Sequence, residues 1–187
     1  MRNINWEEVT TPNTVLPAGG YVIEIQDVVD HEDWEQLDII YNVVEGQYKD
    51  IYKNMGPDDD WKHRFNQRYS ERAQGFFKQF LDEIENDNQS FTIANWGNDP
   101  LKLVGNKIGI LFGEYRDFNQ NGKARTRLQA VRPLTIAQVR AGDFEIPEPM
   151  YKRGVTAEEW LEVRDGASAD KSTSAGDASV YDDGLPF

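Results

Sequence analysis

The sequence predicts a mainly β protein, a five-stranded Greek-key barrel with one helix between strands three and four, ending in an acidic tail outside the core. Three observations carry that expectation. Segments of β-branched, partly alternating residues flank a single segment of helical period. An Asn-Gly dipeptide, Asn121-Gly122, separates the last two β-like segments and marks a hairpin tip. Residues 165–180, DGASADKSTSAGDASV, are nearly free of large apolar side chains, so burial there cannot offset the entropy of ordering.

The elements follow in chain order. Leu16-Pro17-Ala18-Gly19-Gly20 is a turn signal, and residues 21–29 alternate well enough for a half-buried strand. Residues 35–44, EQLDIIYNVV, repeat that character as strand two, with His31-Glu32-Asp33-Trp34 as the hairpin connection. Residues 46–53 either continue this strand or begin the third, until Gly56-Pro57-Asp58-Asp59-Asp60 breaks it. From Ser70, a suitable N-cap, the period changes. Phe76, Phe77, Phe80, Leu81 and Ile84 form an apolar stripe over about four helical turns, ending at Asn86-Asp87-Asn88. Such a stripe assigns Phe76, Phe77, Phe80 and Ile84 to the core. Residues 106–115 and 123–131 read as strands four and five. This order of strands and helix is that of the OB-fold. Residues 1–150 are expected to form this domain, 151–164 a short extension with a helix at 156–163 anchored by Trp160 and Leu161, and 165–187 a disordered tail.

Length and composition narrow the function. The 187 residues suit one domain with an appendage. No stretch approaches the ~20 apolar residues of a membrane span. The start, MRNINWEEVTTPN, lacks the pattern of a signal peptide, so a cytoplasmic location is expected. With no cysteine there is no disulfide framework and no thiolate zinc site. The net charge of −13 argues at first against a nucleic-acid partner, but the charge is unevenly spread. Residues 165–187 carry five Asp against one Lys, and residues 1–45 carry ten acids against Arg2 alone. The body between them is near neutral. Within it Lys62, Arg64, Arg68 and Arg72 face only Glu71, while Arg116, Lys123, Arg125, Arg127 and Arg132 face Glu114 and Asp117.

Binding a single strand without reading its sequence needs cations along the phosphates and flat side chains for the bases, each stack contributing roughly 1–3 kcal/mol. Residues 61–69, WKHRFNQRY, interleave both. If the segment is extended, Lys62, Arg64 and Arg68 share one face while Trp61, Phe65 and Tyr69 mostly share the other. The hairpin adds Tyr115, Arg116, Phe118, Lys123, Arg125 and Arg127, and residues 46–53 add Tyr48, Lys49, Tyr52 and Lys53. In OB-folds the loop between strands four and five is one of two that grip the ligand. The competing reading makes the aromatics rim core and the arginines an ordinary solvated strand face. Trp6, Trp34 and Trp96 have no placement from pattern alone.

The last six residues, Asp182-Asp183-Gly184-Leu185-Pro186-Phe187, put an aromatic ring and the terminal carboxylate on one residue. A partner needs only an apolar pocket beside a Lys or Arg to capture both. This ending closely resembles the C-terminal peptide of bacterial and phage single-stranded DNA-binding proteins. The body is similar to such proteins from phages and prophages of Gram-positive bacteria, in Leu16-Pro17-Ala18-Gly19-Gly20-Tyr21, in residues 61–69 and in Gly142-Asp143-Phe144 with Pro147. The resemblance implies single-stranded DNA as ligand, replication and recombination proteins as partners of Asp182, Asp183, Leu185, Pro186 and Phe187, and action in a host cytoplasm. It implies that the tip also competes with DNA for the basic groove. The tetramer of the cellular bacterial family does not carry over, since the body departs from it, and a monomer or homodimer without a membrane partner is expected.

Neither a catalytic residue nor a metal or cofactor is expected. His31 and His63 have no nucleophile or metal spacing nearby, and no phosphate-cradling loop occurs. Two alternatives remain open, an OB-fold adaptor that binds only proteins and a Mg²⁺-dependent nuclease using Asp58-Asp59-Asp60.

Overall fold

The computed structural model describes residues 16–166. Among them six strands form one sheet in the order β3-β2-β1-β4-β5, with β6 added to β4. These are β1 Gly19–His31, β2 Gln36–Val43, β3 Arg64–Arg68, β4 Lys107–Phe118, β5 Ala124–Leu134 and β6 Met150–Tyr151. All pairings are antiparallel except β4 with β6. Four α-helices accompany them, α1 Gln74–Asp87, α2 Ile93–Trp96, α3 Ile136–Ala141 and α4 Ala157–Arg164. The protein is therefore mainly β. None of its described helices is long and apolar enough to cross a membrane.

Side-chain alternation sets the two faces of the sheet. On β2, Leu37, Ile39, Tyr41 and Val43 join the core cluster, leaving Gln36, Asp38, Ile40 and Asn42 for the outer face. On β1 the period slips: Ile23, Ile25 and Val28 are all core, because a bulge between Ile25 and Asp27 restores the phase. The helix α1 closes the core through Phe77, Phe80, Leu81 and Ile84. Asn88 ends α1 and pins it to the sheet, donating to the Ile84 and Lys107 carbonyls at 2.7 Å each and accepting from the Lys107 amide at 2.9 Å.

Several expectations need correction. Residues 46–53 form no strand; Gly46 and Asp50 adopt positive φ, and turns follow one another there. The third strand is Arg64–Arg68, preceded by a 3₁₀ turn at Pro57–Lys62. The helix starts at Gln74 rather than after Ser70, whose carbonyl instead closes a turn with the Ala73 amide. Phe76 is exposed, because it flanks the stripe that Phe77, Phe80, Leu81 and Ile84 turn inward. The helix expected at 156–163 is α4, capped by a reciprocal Thr156–Glu159 box; Trp160 anchors it while Leu161 stays exposed. A domain limit at 150 cuts through β6, which pairs Met150 with Tyr115 and Tyr151 with Arg116. This strand takes the edge of β4 that β1 leaves at Phe112.

The short helix α3, opened by a Thr135–Gln138 capping box, packs against β4 at Gly109. A Cβ there would lie 2.7 Å from the Leu134 carbonyl oxygen and 2.9 Å from that of Thr135. Backbone cannot yield as a flexible side chain does. Gly109→Ala is expected to lower stability by about 1–3 kcal/mol, read from the urea midpoint, with an unchanged midpoint refuting the close approach.

Candidate nucleic-acid interface

Two basic surfaces lie on the side of the sheet turned away from the core. The first spans β2 and β3. Because β3 alternates, Phe65 and Gln67 point inward, leaving Arg64, Asn66 and Arg68 on the outside. Register puts Asp38 opposite Asn66 and Ile40 opposite Arg64. The nearly buried Asp38 carboxylate accepts from Gln36 Nε2 at 3.0 Å and lies 3.1 Å from both Arg64 and His31 Nε2. It therefore fixes an arginine and an imidazole beside each other. The His31 ring stacks on Trp34, with centroids 5.1 Å apart.

Trp34, at the β1–β2 connection, is 53% exposed, and Trp61, just before β3, is 66% exposed. Trp61 carries Lys62 Nζ at 5.4 Å from its ring centroid, while Lys62 also pairs with Asp59 at 2.6 Å. In the β2–β3 pairing Arg68 meets Gln36, next to the Trp34 connection, whereas Arg64 lies three residues past Trp61. Arg64 and Arg68 thus form a row of about 13 Å along the strand, with an exposed tryptophan toward each end.

The second surface is the β4–β5 hairpin, whose tip at Asn119–Lys123 turns on Gly122 with positive φ. Tyr115 faces Arg127, and Asp117 faces Arg125, across the pair on the side away from the core. Arg127 lies 5.2 Å from the Tyr115 ring centroid. Arg116 and Phe118 share the parity of Phe112 and point the opposite way. Arg116 bonds to Glu114 at 2.7 Å and to the Tyr151 hydroxyl at 3.0 Å, and it lies 4.6 Å from the Trp160 ring centroid. Lys123 is exposed at the tip. The two surfaces sit on β3 and β5, the ends of the strand order, and these two strands approach each other.

The remaining candidates divide. Tyr52 and Phe65 are 95% buried members of the core and must be withdrawn as stacking platforms. Tyr52 stacks on the buried His63 ring at 5.0 Å, and Phe65 meets Tyr41 at 5.8 Å. The cause for Phe65 is register, since its neighbours Arg64 and Asn66 take the outer face. The half-buried Tyr48 packs edge-on against Tyr21 at 5.9 Å. Lys49 and Lys53 are exposed, with Lys53 3.8 Å from Asp50. Tyr69 donates to Asp30 at 2.8 Å and packs on Phe77; burial, then that bond, pushes its hydroxyl up to about 12, so it stays a neutral donor. His63 Nδ1 donates to the Tyr41 carbonyl at 2.7 Å, which makes it part of the core scaffold. The tail candidates, Asp182, Asp183, Leu185, Pro186 and Phe187, lie outside the described residues, as does Trp6.

No family model and no curated protein matches the chain. Among the described residues no group of three or more His, Cys, Asp or Glu side chains is placed to hold a metal ion. Pattern reading assigns no place in these surfaces to Trp34, Asp38 or Tyr151, takes Asp117 only as a charge opposing the arginines, and takes Trp160 only as the anchor of the helix at 156–163. A signal for Trp34 was present, an aromatic at a hairpin connection. None marked the aspartates, which acquire their partners through cross-strand register.

Proposed function

We propose that this chain is a non-catalytic, sequence-independent single-stranded DNA-binding protein of a phage or prophage, with an OB-fold body. It coats strands exposed in replication or recombination within the host cytoplasm and recruits enzymes through Asp182, Asp183, Leu185, Pro186 and Phe187. The barrel reading is supported by the strand order, by α1 lying between β3 and β4, and by the approach of β3 to β5.

One observation carries the binding reading: two exposed tryptophans flank the Arg64–Arg68 row on the outer face of β3. An indole left in water gains apolar contact when a base stacks on it, and every base offers a π-face, so the stack is tolerant of sequence. Arginines at strand spacing supply the matching electrostatics. Trp34 and Trp61 also make the binding visible.

Titrating the full-length chain with oligo(dT) at low salt should quench tryptophan fluorescence, and added salt should reverse it. Four phosphate contacts, from Arg64, Arg68, Arg125 and Arg127, give a slope of log K against log salt of about −3 for a single strand. Absence of quenching at low salt would remove this function and leave the protein-only adaptor. Deleting residues 165–187 should tighten binding and flatten part of the salt dependence, because an acidic tail competes with phosphate. Deleting only 185–187 should spare DNA binding and abolish partner capture.

A further inference from the structure

The hairpin surface contains an arrangement that net charge does not explain. Asp117 lies on the outer side of β4 with its side chain only 3% exposed, and two guanidinium groups converge on it. Arg125 bonds through Nε at 2.8 Å to one oxygen and through a terminal nitrogen at 2.6 Å to the other. Arg127 bonds to the second oxygen at 2.8 Å. The backbone beneath is held too, because the Asp117 carbonyl accepts from the buried Trp160 Nε1 at 3.2 Å. Burial opposes ionisation of this carboxyl, but the Arg125 hydrogen bonds and both positive charges outweigh it and hold it below the usual carboxylate range.

A single carboxylate cannot neutralise two guanidinium groups, so the cluster stays cationic. Asp117 engages two donors of Arg125 and one of Arg127, out of the five that each guanidinium carries. Both side chains remain about half exposed, at 45% and 52%. Donors are thus left for a second acceptor on the solvent side. The Tyr115 ring beside Arg127 limits its motion further.

We propose that Asp117 is a positioning residue that holds Arg125 and Arg127 as a preformed clamp for the phosphodiester oxygens of a bound strand. This rests on the single-strand binding proposed above. The clamp sets geometry against charge. Asp117→Asn makes the surface more positive by one charge, so a purely electrostatic surface would bind DNA more tightly after the change. A clamp would bind less tightly, because two long side chains freed in the unbound state must be ordered again on binding.

The test measures affinity of the full-length chain for fluorescein-labelled oligo(dT) by anisotropy. Asp117→Asn is expected to weaken binding roughly fivefold or more despite the added charge. Arg125→Lys/Arg127→Lys, which keeps both charges but loses the forked geometry, should weaken it similarly. Adding Asp117→Asn to that double variant should change little, whereas general damage to the fold would cost affinity in either background. Equal or tighter binding by Asp117→Asn, or full affinity in the lysine variant, overturns the clamp while leaving the single-strand reading intact. Should the wild-type chain not bind oligo(dT), that reading fails separately, and tripolyphosphate decides the clamp. Shifts of the Arg125 and Arg127 Nε–H resonances in the wild type, absent from Asp117→Asn, keep it as an anion site; no shifts in the wild type overturn it.

Discussion

Replacing Trp34 and Trp61 together by alanine is expected to weaken oligo(dT) binding by roughly 30-fold or more, since each base stack is worth roughly 1–3 kcal/mol. The measurement is anisotropy of a labelled oligonucleotide, because the substitutions remove the intrinsic fluorescence that would otherwise report. Both side chains are more than half exposed, so the folded state should lose little, within about 0.5 kcal/mol. The contrast between affinity and stability is the point of the experiment. Each single variant should lose part of the effect, and the salt slope should stay close to that of the wild type, because stacking releases no counterions. A double variant that binds as tightly as the parent would show that the exposed indoles serve something other than bases.

Phe112→Ala is expected to have the largest effect on folding, a loss of about 3–5 kcal/mol. Phe112 is fully buried at the centre of β4 and stacks on Tyr41 at 5.2 Å, with Phe65 at 6.0 Å and Tyr21 at 6.2 Å. Its loss would open a cavity where β1, β2, β3 and β4 meet. Aromatic neighbours on three sides cannot collapse into it without leaving their own packing. Against a total stability of about 5–15 kcal/mol the variant should sit near the edge of folding, and its urea midpoint should fall by about 2 M for a slope near 2 kcal/mol/M. A shift below about 0.5 M would mean that the aromatic cluster is loosely packed.

The two surfaces differ in how far the sequence revealed them. The mix of bases and aromatics in residues 61–69 was legible, and so was the division that puts Arg64 and Arg68 on one face and Phe65 on the other; the placement of Trp61 and Lys62, which precede the strand, was not. The segment bends through a 3₁₀ turn before the strand begins at Arg64, so Trp61 does not share a face with Phe65. Phe65 goes to the core and Trp61 to solvent for that reason. In sequence, residues 46–53 read as continuing strand two or beginning the third, yet Asn42 pins the segment as a turn by accepting from the Tyr52 amide and donating to Asp50. The acids among the bases of the hairpin read as charges to be subtracted. In the fold, Asp117 is instead the point on which two arginines are oriented.

Local chemistry determined that strands lie at 21–29, 35–44, 106–115 and 123–131, and it determined the helix stripe and the hairpin tip, because period, caps and turn residues act over a few neighbouring positions. Pairing in the fold set the strand limits at 19–31, 36–43, 107–118 and 124–134. The composition of the final residues likewise depends on nothing distant. Only the tertiary structure decided which aromatic rings meet water, which cations share a carboxylate, and that residues 150–164 belong to the body through β6 and Trp160. Those outcomes follow from strand register and from a bulge that shifts it. Register is a relation between segments far apart in the chain, and one residue of slip exchanges every inward side chain for an outward one.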